Sequence, residues 1–265
     1  LAIRIFFSTD DNVGVVSTPE QIWPNATSIL WPEPWRVTVV AETSSTNADL
    51  VAAAESGAVD RTVILAAHQT AGRGRMDRTW EAEPGSNLLV SMLFRKVPEH
   101  PVELTHRVGL AAIDACRAVA GVQPELKWPN DLLLGGRKLA GILAQRCGDG
   151  SVVVGLGLNV GWAPEGAACL GQQVSVLEVL RAVLVAIDQL PERIDDRYRD
   201  ALGTLGRRVS VELPVGEVKG TAVDVDSSGQ LVVVDTCGIT HRFSVGDVVH
   251  LRPEVPPPGV GPSVP

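Results

Sequence analysis

Residues 72–80 read GRGRMDRTW: two glycines alternate with two arginines, a third arginine follows, and Trp80 closes the run. Gly72 and Gly74 allow the backbone positive φ and close approach to a ligand, while Arg73, Arg75 and Arg78 carry planar forks matched to carboxylate and phosphate. Three like charges, on a stretch whose glycines lose much freedom on folding, settle poorly until an anion arrives. The stretch therefore reads as a loop that closes over an anionic ligand, with Trp80 as an apolar backstop. A solvated basic turn is the competing reading, since basic runs are commonly plain surface.

The flanks set this loop between strands. Residues 62–68, TVILAAH, form an apolar run of strand length that feeds it through Gln69. Residues 86–94 follow it, with Leu88, Val90 and Met92 on one face and Leu89, Ser91 and Leu93 on the other. Upstream, residues 36–42 alternate as a strand and lead into TSSTNADLVAAAESG, a helix stopped by Gly57. Thr46, with Asp49 three residues on, fits a capping box, and on that reading Ser45 and Thr46 need do no more than cap.

Downstream, Leu104, Val108, Ala112, Ala115 and Val119 recur at helical spacing until Gly121. LKWPNDLLLGGRKLAGILAQR, residues 126–146, gives two short strands joined by a turn at 128–131, then a Gly135-Gly136 hairpin into a third. That folding gathers Lys127, Asn130, Asp131 and Lys138, and the apolar neighbours of Lys138 direct its ammonium to a buried or ligand-facing surface. SVVVGLGLNV, residues 151–160, is an interior strand. Gly155, Gly157 and Gly161 fail the dinucleotide fingerprint, because the last is one position late and no helix opens there. They are expected to allow close strand packing, with Asn159 a polar contact at the strand end. Ser175 and Glu178 open a helix that runs to about Leu190 before Pro191.

A chain of 265 residues with 45% apolar and 20% charged content has ample core. Its net charge of -8 argues against general affinity for nucleic acid, so an anion site must be local, as in residues 72–80 with three arginines and one aspartate. Cys116, Cys147, Cys169 and Cys237 have neither zinc nor disulfide-framework spacing, and a cytoplasmic setting is expected. Longer apolar runs are broken by charge, so no membrane span is read. Residues 1–35 are expected to be an irregular lead-in, too short and proline-broken for a helix-turn-helix. Residues 203–206 look like a boundary, residues 207–252 change to short β-rich pieces that suit a small barrel or sandwich, and 253–265 should be a disordered proline-rich tail.

In combination and order, SSTN (44–47 in the chain), Gln69 with GRGRMDRTW, KWPND (127–131), GRKLAGIL (136–143) and GLGLNV (155–160) resemble the biotin protein ligases. The resemblance spans about residues 37–160, and the β-rich end is similar to the family's SH3-like module. It implies an α+β fold: a mixed sheet with flanking helices in a class II synthetase-like catalytic domain over 36–203, plus a small SH3-like β-barrel over 206–252. It also implies that biotin and ATP, with Mg²⁺, yield biotinyl-5′-adenylate, which passes the vitamin to a lysine of a biotin carboxyl carrier domain of an acyl-CoA or pyruvate carboxylase. By the same resemblance Ser45, Thr46, Gln69, Gly72, Arg73, Arg75, Lys138 and Gly141 hold biotin. Arg75, Arg78, Trp80, Asn130, Asp131 and Asn159 surround the adenylate, Lys138 and Arg75 act in catalysis, and Asp131 helps hold the metal. Met76 stands where some members carry a further basic residue, and the segment between Val160 and Ser175 is short. A monomer or weak dimer without nucleic-acid or membrane partners is expected. The alternatives are a lipoate-type ligase and a DNA-binding repressor, the latter disfavoured because few residues precede the first strand.

Overall fold

The computed structural model describes residues 18–26, 28–213, 216–244 and 246–250. The expected proline-rich tail and most of the lead-in lie outside these residues. After a single turn of helix, α1 (Pro19–Ile22), the chain enters β1 (Arg36–Thr43), α2 (Thr46–Glu55) and β2 (Thr62–Gln69). Then come β3 (Leu88–Phe94), α3 (Val102–Ala120), β4 (Glu125–Lys127), β5 (Asp131–Leu134), β6 (Arg137–Arg146) and β7 (Val152–Leu158). Helices α4 (Val176–Gln189) and α5 (Asp195–Ala201) precede five further strands: β8 (Arg208–Glu212), β9 (Glu217–Val225), β10 (Leu231–Asp235), β11 (Thr240–Phe243) and β12 (Asp247–His250).

Strands β1 to β7 make one mixed sheet of order β1-β2-β3-β7-β6-β5-β4. Only β1 and β2 run parallel, with α2 as their crossover, and every other pair is antiparallel. The apolar β7 therefore lies in the interior of the sheet, paired on both sides. β3 is buried along its whole length because its two faces are both covered. Leu88, Val90 and Met92 pack in the core with α3 and α4, and Leu93 packs in a smaller cluster with Leu50 and Ala54 of α2. The left-handed Gly121 (φ 66°) ends α3 as its spacing predicted, and Gly57 (φ 89°) follows the end of α2.

The second sheet is wholly antiparallel, of order β11-β10-β9-β8-β12, and is built from the short β pieces expected after residue 206. It is stitched to the first at the β4–β5 turn. Trp128 is 2% exposed; its backbone N–H donates to Thr204 Oγ1 (3.1 Å) and its indole N–H to the Gly229 carbonyl (3.0 Å). Leu126 also bridges Leu202, and one continuous apolar core runs from Leu110 of α3 through Trp128 to Val211, Leu231 and Phe243. Among the described residues no helix is long and apolar enough to cross a membrane.

Candidate active site

The site begins where the parallel pair β1–β2 brings the start of α2 beside the end of β2. Ser45, in extended conformation, is the N-cap, its hydroxyl accepting from Ala48 N–H at 3.5 Å. This corrects the capping box expected at Thr46 and Asp49: Thr46 is already helical, and Asp49 instead accepts a bond from Thr43 Oγ1 (2.5 Å). Thr46 turns to Gln69, whose Oε1 accepts from both Thr46 N–H (2.8 Å) and Thr46 Oγ1 (3.0 Å). Committing that oxygen fixes the amide and leaves Gln69 Nε2 a donor without a partner among the described residues.

Residues 72–80 are folded as a small hairpin. Trp80 N–H donates to the Gly72 carbonyl (3.0 Å), Gly74 N–H to the Arg78 carbonyl (2.6 Å), and Arg73 bridges Thr79. A side chain at Gly72 would put its Cβ 2.6 Å from the Trp80 carbonyl, so only glycine permits this closure. Exposed Met76 takes the left-handed conformation (φ 54°) at the tip.

Trp80 lies on the sheet over Gly157. A Cβ there would be 2.5 Å from the indole, and one at Gly141 would be 3.2 Å from it. Gly155 does the same for Asn47, whose Oδ1 would lie 2.3 Å from an added Cβ. The close approach expected of these glycines is thus to side chains laid on the sheet, not to neighbouring strands. The Trp80 indole nitrogen is buried without a hydrogen-bond partner among the described residues.

Lys138 Nζ sits 5.7 Å from the Trp80 ring centroid and 2.8 Å from Asp131 Oδ1. Arg75 donates to Asn130 Oδ1 (3.2 Å), and Asn130 Nδ2 donates to the Ile142 carbonyl (2.8 Å). Arg78 pairs with Asp247 of β12, which brings the second sheet to the cavity rim. Neither Arg73 nor Arg75 has a carboxylate partner among the described residues, so their charge is open to a ligand. Asn159, 2% exposed, spends its side chain on the Ala168 carbonyl (3.0 Å) and on Asn87 (3.4 Å), holding the segment that carries Pro164 and Ala167 into the wall.

These groups line one cavity of about 600 Å³. Ser45, Thr46, Gln69, Arg73, Arg75, Arg78, Trp80, Asn130, Asp131, Lys138, Gly141 and Asn159 all border it, with Gly72 directly behind Gln69 and Trp80. Asn47, Gly155, Gly157 and Asp247 border it too, although the sequence assigns none of them to the site. Ser91 was read only as a strand residue, and it bonds Thr46 and Asn47 from beneath. A lone hydroxyl in the apolar run LLVSMLF is the signal that marks it, whereas nothing local marks Asp247.

The profile of the Biotin/lipoate A/B protein ligase family matches residues 39–161, and that of the Biotin protein ligase C terminal domain matches 204–251. A biotin-(acetyl-CoA-carboxylase) ligase of Mycobacterium tuberculosis is 43% identical over 244 residues, 82% of this chain and 90% of the relative. The chain belongs to the biotin protein ligase family. The corresponding ligase of Paracoccus denitrificans is 37% identical, over 76% of this chain and 95% of its own. Among solved structures, the biotin protein ligase of Aquifex aeolicus in complex with biotin and ATP superposes with a TM-score of 0.71 at 26% identity, covering 82% of this chain and 99% of that one.

Proposed function

We propose that this biotin protein ligase joins biotin to ATP as biotinyl-5′-adenylate and then passes the vitamin to a lysine of the biotin carboxyl carrier domain of an acyl-CoA or pyruvate carboxylase. The observation that carries this reading is the continuity of the cavity. A polar end, built from Ser45, Thr46 and Gln69, opens directly onto a cationic end built from Arg73, Arg75 and Lys138.

In the first step a biotin carboxylate oxygen attacks the α-phosphorus, and pyrophosphate leaves with the electrons of the broken P–O bond. Two anions are being pressed together, so the chain contributes positioning and charge neutralisation. Arg73 and Arg75 are the open cations for this work. Lys138 reaches it from the Trp80 face, aimed by Asp131, and Arg78 reaches it from the rim. Ser45 and Thr46 present the hydroxyls, and Gln69 the amide, that orient the vitamin's head group, with Gly72 and Gly141 giving close backbone approach. Trp80 and Asn130 flank the adenylate, and Asn159 shapes its wall.

In the second step the carrier lysine's neutral amine attacks the acyl carbon, AMP departs with the electrons of the broken acyl C–O bond, and the amine nitrogen gives up one proton to solvent. A mixed anhydride hydrolyses if water reaches it, which gives the hairpin over the cavity its second use.

Among the described residues no group of three or more His, Cys, Asp or Glu side chains is arranged to hold a metal. The cavity does offer single carboxylates, and Mg²⁺ keeps water and substrate phosphates as ligands and takes one or two carboxylates from a protein. Asp131 would be such a carboxylate, and the ion when bound would offset phosphate charge.

Residues 36–203 would then form the vitamin and nucleotide unit and 206–252 its β-rich companion, acting in the cytoplasm as a monomer or weak dimer. The test is mass spectrometry of a carrier domain after incubation with the protein, MgATP and either biotin or lipoate. A mass gain of one biotinyl group at a single lysine is expected. A gain only with lipoate, or with neither vitamin, refutes the proposal.

A further inference from the structure

From the polar pair beneath the vitamin end of the cavity, we infer that Ser91 and Asn47 form a buried positioning relay, which fixes Thr46 Oγ1 as a hydrogen-bond acceptor toward the ligand and so selects for a ligand N–H. This rests on the assignment of Ser45, Thr46 and Gln69 to the biotin head group.

Ser91 is the one polar residue in a strand buried from end to end, and its own exposure is 0%. Its Oγ lies 2.8 Å from Thr46 Oγ1 and 2.5 Å from Asn47 Oδ1. Asn47 Nδ2 donates to the Leu143 carbonyl (3.2 Å), which orients the amide so that its oxygen faces Ser91. Gly155 is the cross-strand partner of Ser91, and its missing Cβ is the socket in which Asn47 Oδ1 sits. A buried hydroxyl and amide kept in an otherwise apolar layer carry a desolvation cost that only full pairing offsets.

Proton counting supplies the rest. Three oxygen contacts, Thr46 to Gln69, Thr46 to Ser91 and Ser91 to Asn47, share two hydroxyl protons. Asn47 Oδ1 and Gln69 Oε1 accept only. If Ser91 gives its proton to Asn47, Thr46 gives its own to Ser91 or Gln69; if Ser91 gives its proton to Thr46, the Thr46 proton goes to Gln69. In each arrangement that fills two of the three contacts, the most that two protons can fill, the Thr46 proton stays inside the protein and a lone pair on Thr46 Oγ1 is left for the cavity. Ser45, whose Oγ only accepts from Ala48 N–H, keeps its own proton to donate. An acceptor beside a donor matches an N–H beside a C=O, the two faces of a cyclic urea.

Ser91 and Asn47 act through Thr46 and are positioning residues. The experiment measures pyrophosphate release with biotin and with a biotin analogue methylated on a ureido nitrogen, for wild type, Ser91→Ala, Ser91→Cys and Gly155→Ala, alongside melting temperature. Ser91→Ala is expected to raise the KM for biotin about tenfold, the scale of one buried hydrogen bond, with the KM for ATP within twofold. It should also narrow the preference for biotin over the methylated analogue by a similar factor. Gly155→Ala, which pushes Asn47 aside, should reproduce that loss of preference, and Ser91→Cys should restore part of it. A folded Ser91→Ala protein with wild-type preference overturns the inference, even if its melting temperature falls. If Ser91→Ala does not fold, Gly155→Ala decides by the same preference ratio. Wild-type protein that releases no pyrophosphate with biotin would instead overturn the assignment of the head-group site.

Discussion

Gly157→Ala adds one methyl group under Trp80, and the structure sets what that must do. The new Cβ would stand 2.5 Å from Trp80 Cε2 and 2.9 Å from Cδ2 and Cζ2, where ordinary contact begins at 3.4 Å. The strand cannot yield, because Gly157 is paired to Leu89 of β3 on one side and to Gly141 of β6 on the other. The indole must therefore rise by about 1 Å into the cavity. It would carry with it the face that Lys138 approaches. Forcing one extra methyl into a packed contact costs about 1–3 kcal/mol. Placed on ligand binding rather than on folding, that is about a 5- to 150-fold loss. The expected result is a fall of about 10- to 100-fold in kcat/KM for biotin in a pyrophosphate-release assay, a changed tryptophan emission, and a melting temperature close to wild type. Wild-type kcat/KM for biotin would refute the argument that the indole's seat on bare backbone shapes the site.

Lys138→Ala should slow adenylate formation by about two to three orders of magnitude, the scale of one preorganised donor to developing charge, and near-normal single-turnover rates would remove Lys138 from that role. Arg75→Ala should release more free biotinyl-adenylate per carrier modified, read by chromatography of the reaction; release equal to wild type would mean the hairpin does not retain the intermediate. Asp247→Asn should weaken the hold on Arg78 and change the KM for ATP more than that for biotin; equal KM values in mutant and wild type would make the pair incidental. His106, buried and stacked on Tyr198 at 3.6 Å, has its pKa lowered by burial from 6.5 to about 4, against the opposing charge of Asp195. The unfolded chain therefore takes up a proton between pH 6.5 and 4 that the folded chain refuses. Stability is full above about pH 6.5 and drops by on the order of 3 kcal/mol as pH falls to about 4. His250, also lowered to about 4, acts in the same window. Urea midpoints at pH 7 and 4.5 should show a shallower decline for His106→Phe, and parallel slopes would refute the assignment.

The elements of the first sheet were legible because each announces itself locally: alternation in β1 and β3, helical spacing from Leu104 to Val119, and the two-glycine hairpin before β6. The Ser45 to Thr46 slip arose because a run of hydroxyls offers several caps, and only the end of β1 decides which one is used. The arginine hairpin and KWPND were legible as candidates for one site, and the structure puts Arg73, Arg75, Arg78, Asn130 and Asp131 on one cavity, although a basic run by itself reads as well as plain surface. The roles of Gly155 and Gly157 were not, because a missing side chain reveals its purpose only when the atom that fills the gap is known. Asp247 was hidden for a related reason: its meeting with Arg78 is made by the docking of one sheet on the other.

Trp128 turns that docking into a constraint on chemistry. Its ring is gripped by the small sheet, and two residues later the same turn supplies Asn130 and then Asp131 to the cavity. The small sheet is thus a splint on the turn that lines the cavity. A chain cut before residue 204 would keep nearly every cavity residue yet lose the Thr204 and Gly229 acceptors that set Trp128, and with them the placement of the amide and carboxylate beyond it.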